Sequence, residues 1–193
     1  MITLGESGVG KTSIIRRYIH NIFDENNLST IGLNFSFKKV TLKNGKNLNI
    51  KLIDTAGQEK YKALAKSYFK NSDAVLFVFA LDDQESFDKI TNWINLFNDN
   101  NHYGKEGIPQ FLIGNKADKN RAVKKEVLDN FLSNNKYKYY ETSAKDNTGI
   151  EELFQKLAED FEKILEAGGN KPIQNSAKLG NFKNNNKTGC QCL

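Results

Sequence analysis

The run Gly5-Glu6-Ser7-Gly8-Val9-Gly10-Lys11-Thr12 fits G-x-x-x-x-G-K-[ST]. Glycines at these spacings let the backbone fold closely around phosphates, so that successive N–H groups and the start of a following helix point at an anion. Lys11 can then reach the β- and γ-phosphates, and the Thr12 hydroxyl can bind Mg²⁺. A chance glycine turn is the rival reading. It would not need the apolar stretch before the run or the helical pattern after it.

A metal beside phosphates needs a carboxylate, and Asp54 stands at the end of the apolar series Leu48, Ile50, Leu52, Ile53. Alone it could as well cap a turn, but Thr55-Ala-Gly57-Gln58 follows. Gly57 offers a backbone N–H free to approach a γ-phosphate, and Gln58 carries both a donor and an acceptor with which to orient an attacking water.

A phosphate cradle does not choose a base. Asn115-Lys116-Ala117-Asp118 follows the apolar segment Gln110 to Gly114, and Asp118 can accept two hydrogen bonds from the N1–H and exocyclic amine of guanine. Adenine offers no such pair and would leave a buried charge unmatched. Lys116 can lay its stem along the base, and Asn115 can tie neighbouring loops together. A second segment, Glu141-Thr-Ser143-Ala144-Lys145, places the Ala144 N–H where it can donate to guanine O6. Asn-Lys-x-Asp by itself often marks only a solvated turn; here its order and its place after a strand give it weight.

These segments need elements to position them. A short strand, Met1 to Leu4, leads into the glycine run, and a helix follows from about Lys11 to His20 with Ile14, Ile15, Tyr18 and Ile19 on one side. A polar loop spans Phe23 to Ser29. Asn34 to Lys43 and Lys46 to Asp54 alternate apolar and polar residues around Asn44-Gly45, which predicts a hairpin. Ala74 to Leu81 and Gln110 to Gly114 lack alternation, as expected of strands covered on both faces. Helical spacing is found at Tyr61 to Phe69, Gln84 to Phe97, Lys124 to Leu132 and Gly149 to Leu165. Alternation of this kind predicts an α/β domain with a mostly parallel sheet, helices on both faces, and ligand chemistry at the carboxyl ends of the strands.

The chain has 193 residues, 28 Lys+Arg against 23 Asp+Glu, and a net charge of +5. Residues 168–193 hold Lys171, Lys178, Lys183 and Lys187 and no acid, leaving 24 basic and 23 acidic residues before them. A nearly neutral globule with a basic tail argues against a nucleic-acid-binding domain, whose positive charge belongs on the folded surface. The longest apolar run, Ala74 to Leu81, is too short to span a bilayer, and the N-terminus does not read as a secretory signal. Both cysteines, Cys190 and Cys192, lie too near each other to staple a secreted fold, which points to the cytosol. The expected organisation is a globular unit over 1–167 and a flexible basic tail over 168–193.

With these segments together, the chain resembles the small GTPases, and the Rab branch in particular, across residues 2 to 167. The resemblance is carried by Ser29-Thr-Ile-Gly-Leu-Asn-Phe35, Asp54-Thr-Ala-Gly-Gln-Glu59, Lys60-Tyr-Lys-Ala-Leu-Ala-Lys-Ser-Tyr-Phe-Lys70 and Glu85-Ser-Phe87. It implies a three-layer P-loop NTPase fold, with a six-stranded sheet, one antiparallel edge strand and about five helices. It makes Thr30 a third Mg²⁺ ligand when the γ-phosphate is present, packs Phe23 on the guanine ring, and assigns Ser143, Ala144 and Lys145 to the base site. It implies two mobile segments, about Asp24 to Phe35 and Gly57 to Lys70, ordered by the triphosphate. It also implies a GTP/GDP cycle with an exchange factor, a GTPase-activating protein, a prenyl-binding escort and effectors. The expected setting is a monomer on the cytoplasmic face of intracellular membranes with a cytosolic pool. Departures from the Rab pattern are the four residues before the glycine run, Ile53 in place of a Trp, and Asn27 in place of an aromatic. The ending Gly189-Cys-Gln-Cys-Leu193 reads either as a C-a-a-X box prenylated at Cys190 or as a Cys-x-Cys pair modified at both Cys190 and Cys192. A nucleotide-binding scaffold without hydrolysis and a small-molecule kinase are the alternatives, the latter disfavoured by Asn115 to Asp118.

Overall fold

A computed structural model of the chain describes residues 1–25, 30–42, 44–57, 62–101, 108–135 and 137–166. The strands are β1 (Ile2–Leu4), β2 (Leu33–Thr41), β3 (Asn47–Thr55), β4 (Val75–Ala80), β5 (Gln110–Asn115) and β6 (Lys138–Glu141). The helices are α1 (Lys11–His20), α2 (Lys62–Phe69), α3 (Gln84–Asp88), α4 (Ile90–Asn100), α5 (Lys125–Ser133) and α6 (Ile150–Glu166). The strands form one sheet in the order β2-β3-β1-β4-β5-β6, with β2 antiparallel at the edge and every other pairing parallel.

Strand β4 explains why the middle of the sheet reads as an unbroken apolar run. Side chains alternate faces along a strand. Leu76, Val78 and Ala80 enter one core with Ile14, Ile15 and Tyr18 of α1 and Leu153, Phe154 and Leu157 of α6. Val75, Phe77 and Phe79 enter the other with Phe69, Phe87, Trp93, Phe97 and Leu128. Each fully buried side chain of this size contributes roughly 1.5–3 kcal/mol, so the two aromatic-rich layers dominate the stability of the fold. The stripe expected on the last helix is present, and Phe154 stacks on Tyr18 with ring centroids 3.6 Å apart.

Parallel pairing brings the strand ends to one edge: Ala80 lies beside Asn115, and Gly114 beside Glu141. The loops after β1, β5 and β6 therefore leave the sheet side by side. The expected continuous helix over Gln84 to Phe97 is broken at Lys89. Asp83 caps the first piece by accepting from the Ser86 N–H at 3.2 Å, and at the break the Asn92 N–H bonds three residues back to the Lys89 carbonyl at 3.1 Å. The bend keeps Phe87 against Phe79 and Phe131 while turning Trp93 toward the loop after β1. Counting the broken helix once, the five expected helices are all present.

Candidate functional site: a cleft at the carboxyl edge of the sheet

The loop after β1 takes its shape from glycine. Gly5, Gly8 and Gly10 have φ of 148°, 79° and 97°. A Cβ on Gly5 would lie 2.0 Å from the Val78 carbonyl oxygen, and one on Gly10 would lie 2.2 Å from Asn115 Nδ2. Two of the motif's glycines are thus required by close packing as well as by backbone angle. Gly10 caps α1 with no side-chain bond, which leaves the first amides of the helix turned toward the cleft. Lys11 is buried, and its Nζ donates to the carbonyls of Gly5 and Glu6 at 2.9 and 2.7 Å. Burial lowers its pKa to about 8, although Asp54 and Glu6 oppose the shift. Its charge lacks a full partner, which an anionic ligand would supply.

Beside it, Thr12 Oγ1 donates to Asp54 Oδ2 at 2.7 Å and meets Thr30 Oγ1 at 2.5 Å. Asp54 is buried, and its Oδ1 has no hydrogen-bond partner. Desolvation raises its pKa against the opposing pull of the Thr12 hydroxyl and the Lys11 charge. An orphaned buried carboxylate oxygen is costly unless a cation or donor meets it. Among the described residues no three His, Cys, Asp or Glu side chains converge. Two hydroxyls and one carboxylate suit a hard cation that keeps several waters and binds substrate phosphates, as Mg²⁺ does. Gly57 closes this end: a Cβ there would fall 2.3 Å from Ser7 N. Gln58 lies outside the described residues.

The other end of the cleft is made of side chains that tie loops together. Asn115 Nδ2 donates to the Val9 carbonyl at 2.9 Å, and its Oδ1 accepts from Thr142 Oγ1 at 3.1 Å. One amide so joins the loops after β1, β5 and β6. Asp118 Oδ1 accepts from Ser143 Oγ at 2.6 Å, which aims the carboxylate and leaves its other oxygen for a ligand. Lys116 has φ of 65° and its Nζ lies 3.3 Å from Asp82 Oδ1; Lys119 holds Asp82 Oδ2 at 3.0 Å. Across the mouth, Lys145 pairs with Glu25 at 2.6 Å.

A cleft of about 450 Å³ runs between the two ends. Ser7, Gly8, Gly10, Lys11, Thr12, Phe23, Thr30, Gly57, Asn115, Lys116, Asp118, Ala144 and Lys145 all line it. Gly5, Glu6 and Val9 form the back of the loop rather than its lining. The Val9 side chain is in the core, and the Glu6 carboxylate turns away to Trp93. Ser143 and Asp54 stand behind Asp118 and Thr12. Cys190 and Cys192 lie outside the described residues, as does Asn27.

Sequence reasoning missed Arg17. From the polar side of α1 its Nε donates to the Ala144 carbonyl at 2.8 Å and its Nη2 to the Lys145 carbonyl at 2.9 Å, while Nη1 holds the Asn21 carbonyl at 3.0 Å. It fixes the loop after β6 against the helix that begins at the glycine loop. Nothing local marks it, because its partners are 127 and 128 residues away. Asp82, which orients Lys116, was also missed; its place just after β4 at the same edge was an available signal.

The Ras family model matches residues 1–163. The chain belongs to the Ras family. Among curated relatives of this small GTPase, Ras-related protein Rab-13 of Rattus norvegicus is 32% identical over 195 residues, covering 97% of this chain and 93% of that protein. Ras-related protein RabC of Dictyostelium discoideum is 35% identical over 193 residues, covering 98% and 95%. GTP-binding protein YPT1 of Saccharomyces cerevisiae is 32% identical over 184 residues, covering 94% and 87%. The protein is therefore a Rab-like small GTPase, and its reaction is GTP + water to GDP + phosphate.

Proposed function

We propose that this GTPase works as a GTP/GDP switch that recruits effectors to the cytoplasmic face of intracellular membranes, with a cytosolic pool, in vesicle trafficking. The observation that carries the reading is Thr30, whose hydroxyl meets Thr12 beside Asp54 and so joins the loop before β2 to the phosphate end. A segment held this way responds to what occupies the site. Phe23 would pack on the base, Asp118 would accept from its N1–H and amine, the Ala144 N–H would donate to O6, and Lys116 would lie along the ring. Ser143, Asn115 and Lys145 would hold these groups in place. The loop amides from Gly5 to Thr12 and the Lys11 ammonium would surround the phosphates.

Thr12, Thr30 and Asp54 would hold Mg²⁺, which supplies charge neutralisation for the β- and γ-phosphates. Gln58 and the Thr30 carbonyl would hold the attacking water in line, while Lys11 and the amides of the loop and Gly57 take up charge developing on the transferring phosphoryl. Among the described residues no arginine lines the cleft, so intrinsic turnover would be slow and an activating protein would complete the site. An exchange factor would open it, and a prenyl-binding escort would carry the lipidated form. The chain would act as a monomer, without nucleic acid.

No helix among the described residues is long and apolar enough to cross a membrane. Attachment would come from prenyl groups on Cys190, or on Cys190 and Cys192, with the four tail lysines each adding about 1 kcal/mol near an anionic leaflet. The reading is tested by Gln58→Leu, which should keep GTP binding and lose stimulated hydrolysis; unchanged turnover counts against the assigned role. For the anchor, an unmodified C-terminal peptide from a eukaryotic host, seen by mass spectrometry, would be the contrary result.

A further inference from the structure

Glu6 is the one charged side chain in the glycine loop from Gly5 to Gly10, and its charge has the wrong sign for a phosphate site. Its carboxylate points outward. Oε1 accepts the Trp93 indole N–H at 2.8 Å, and Oε2 lies 3.9 Å from Lys89 Nζ. Trp93 is the chain's single tryptophan and is fully buried in the α4 face that packs on the sheet, so the donor cannot wander. The Glu6 backbone meanwhile belongs to the site. Its carbonyl accepts from Lys11 Nζ at 2.7 Å, and its C and O atoms are the ones a Cβ on Gly57 would strike at 2.3 and 2.4 Å.

We infer that Trp93 is a positioning residue for guanine-nucleotide retention: its indole N–H holds the Glu6 carboxylate away from the phosphates while the Glu6 backbone keeps Lys11 in place. Released from the indole, the carboxylate swings on the side chain of a loop residue beside the phosphates and repels them in a cleft partly shielded from water. The loop also loses the tether that pre-orders its glycines, so more ordering is left for the nucleotide to impose. The inference rests on the reading that residues 5–12 hold nucleotide phosphates.

The test is the release rate of labelled GDP from the full chain with Mg²⁺ present. Trp93→Phe keeps an aromatic ring in the core and removes the donor together with part of the indole volume, a packing loss that the double variant separates from the loss of the bond. It should release GDP about tenfold faster, as expected when a hydrogen bond to a charged group is lost. Glu6→Gln keeps the loop backbone and an acceptor without the charge, and its own release rate is the reference for the double variant. The double variant Trp93→Phe/Glu6→Gln decides the mechanism: its release should lie within about threefold of that of Glu6→Gln, because the repelling charge is gone. If Trp93 served only as packing, the double variant would release as fast as Trp93→Phe. Lys89→Glu on the surface, which turns the weaker outward pull into repulsion, gives a second route should Trp93→Phe fail to fold. It should speed release about threefold, and the effect should vanish when Glu6→Gln is added. Release by Trp93→Phe within twofold of the parent, or no recovery in the double variant, overturns the inference. A parent chain that does not load GDP removes the underlying reading and the inference with it, whereas normal loading with unaltered release removes the inference alone.

Discussion

The two ends of the cleft are built on opposite plans. At the phosphate end the lining is backbone: glycines at positive φ, free helix amides, and a buried Lys11 gripped by two carbonyls of its own loop. At the base end the lining is side chain: Asp118 aimed by Ser143, Lys116 by Asp82, and loops bound by Asn115 and Arg17. Phosphate is common to every nucleotide, and a rigid shell of amides recognises it without choosing. Guanine must be told from adenine, and that takes a carboxylate such as Asp118, exposed in the open cleft, which can accept from the N1–H and amine of guanine and finds no such pair on adenine.

The contrast makes separate demands on the two ends. The largest effect should come from Lys11→Met, which should weaken GDP and ADP alike by about 10³-fold, since a buried ammonium is the only cation at the phosphate end among the described residues. Equilibrium binding of both nucleotides checks it, and a loss confined to one base would break the division. Asp118→Ala should instead cut the preference for GDP over ADP by about 10²-fold, read by competition. A third, smaller effect is expected for Arg17→Ala, which should speed GDP release about tenfold by loosening the Ala144–Lys145 loop, while Arg17→Lys recovers part of it. Stopped-flow release with a fluorescent guanine nucleotide would show this.

The smallest effect is a pH dependence. Lys11 has its pKa lowered to about 8 by burial in the free protein, and phosphate favours its charged form. Binding should therefore draw a proton to Lys11 near pH 8, with affinity level below that pH and falling above it. Calorimetry at pH 8 in two buffers of different ionisation enthalpy should register proton uptake on GDP binding. No uptake would mean that Lys11 is fully charged before the ligand arrives.

The same division governs what could be read from the sequence. Gly5 to Thr12 was legible because a backbone cradle is contiguous, and the glycine that must meet Val78 is the glycine of the motif. Asn115 to Asp118 was legible because it follows a strand whose apolar character fixed its edge. Arg17 and Trp93 were hidden, since each works through a residue brought near only by the fold, whereas the place of Asp82 just after β4 was an available signal. That β4 is covered on both faces was legible from its unbroken apolar run, but which residue enters which core was not, because with both faces apolar the period of two leaves no trace in residue type. The break at Lys89 had neither Pro nor Gly to announce it, and the apolar spacing runs on through Ile90, Trp93, Ile94 and Phe97. Around the break the Ser86 N–H donates to the Asp83 carboxylate and Trp93 points toward Glu6, the latter a contact made across the fold rather than marked in residue type.

One cleft would choose guanine at one end and cleave the γ-phosphoanhydride of GTP at the other. The most direct measurement is a single-turnover reaction of the full chain with γ-labelled GTP, Mg²⁺ and a large excess of unlabelled ATP. Slow release of labelled phosphate at a rate ATP does not alter is the result predicted. Retention of the label as GTP, or suppression of its release by ATP, would contradict the account.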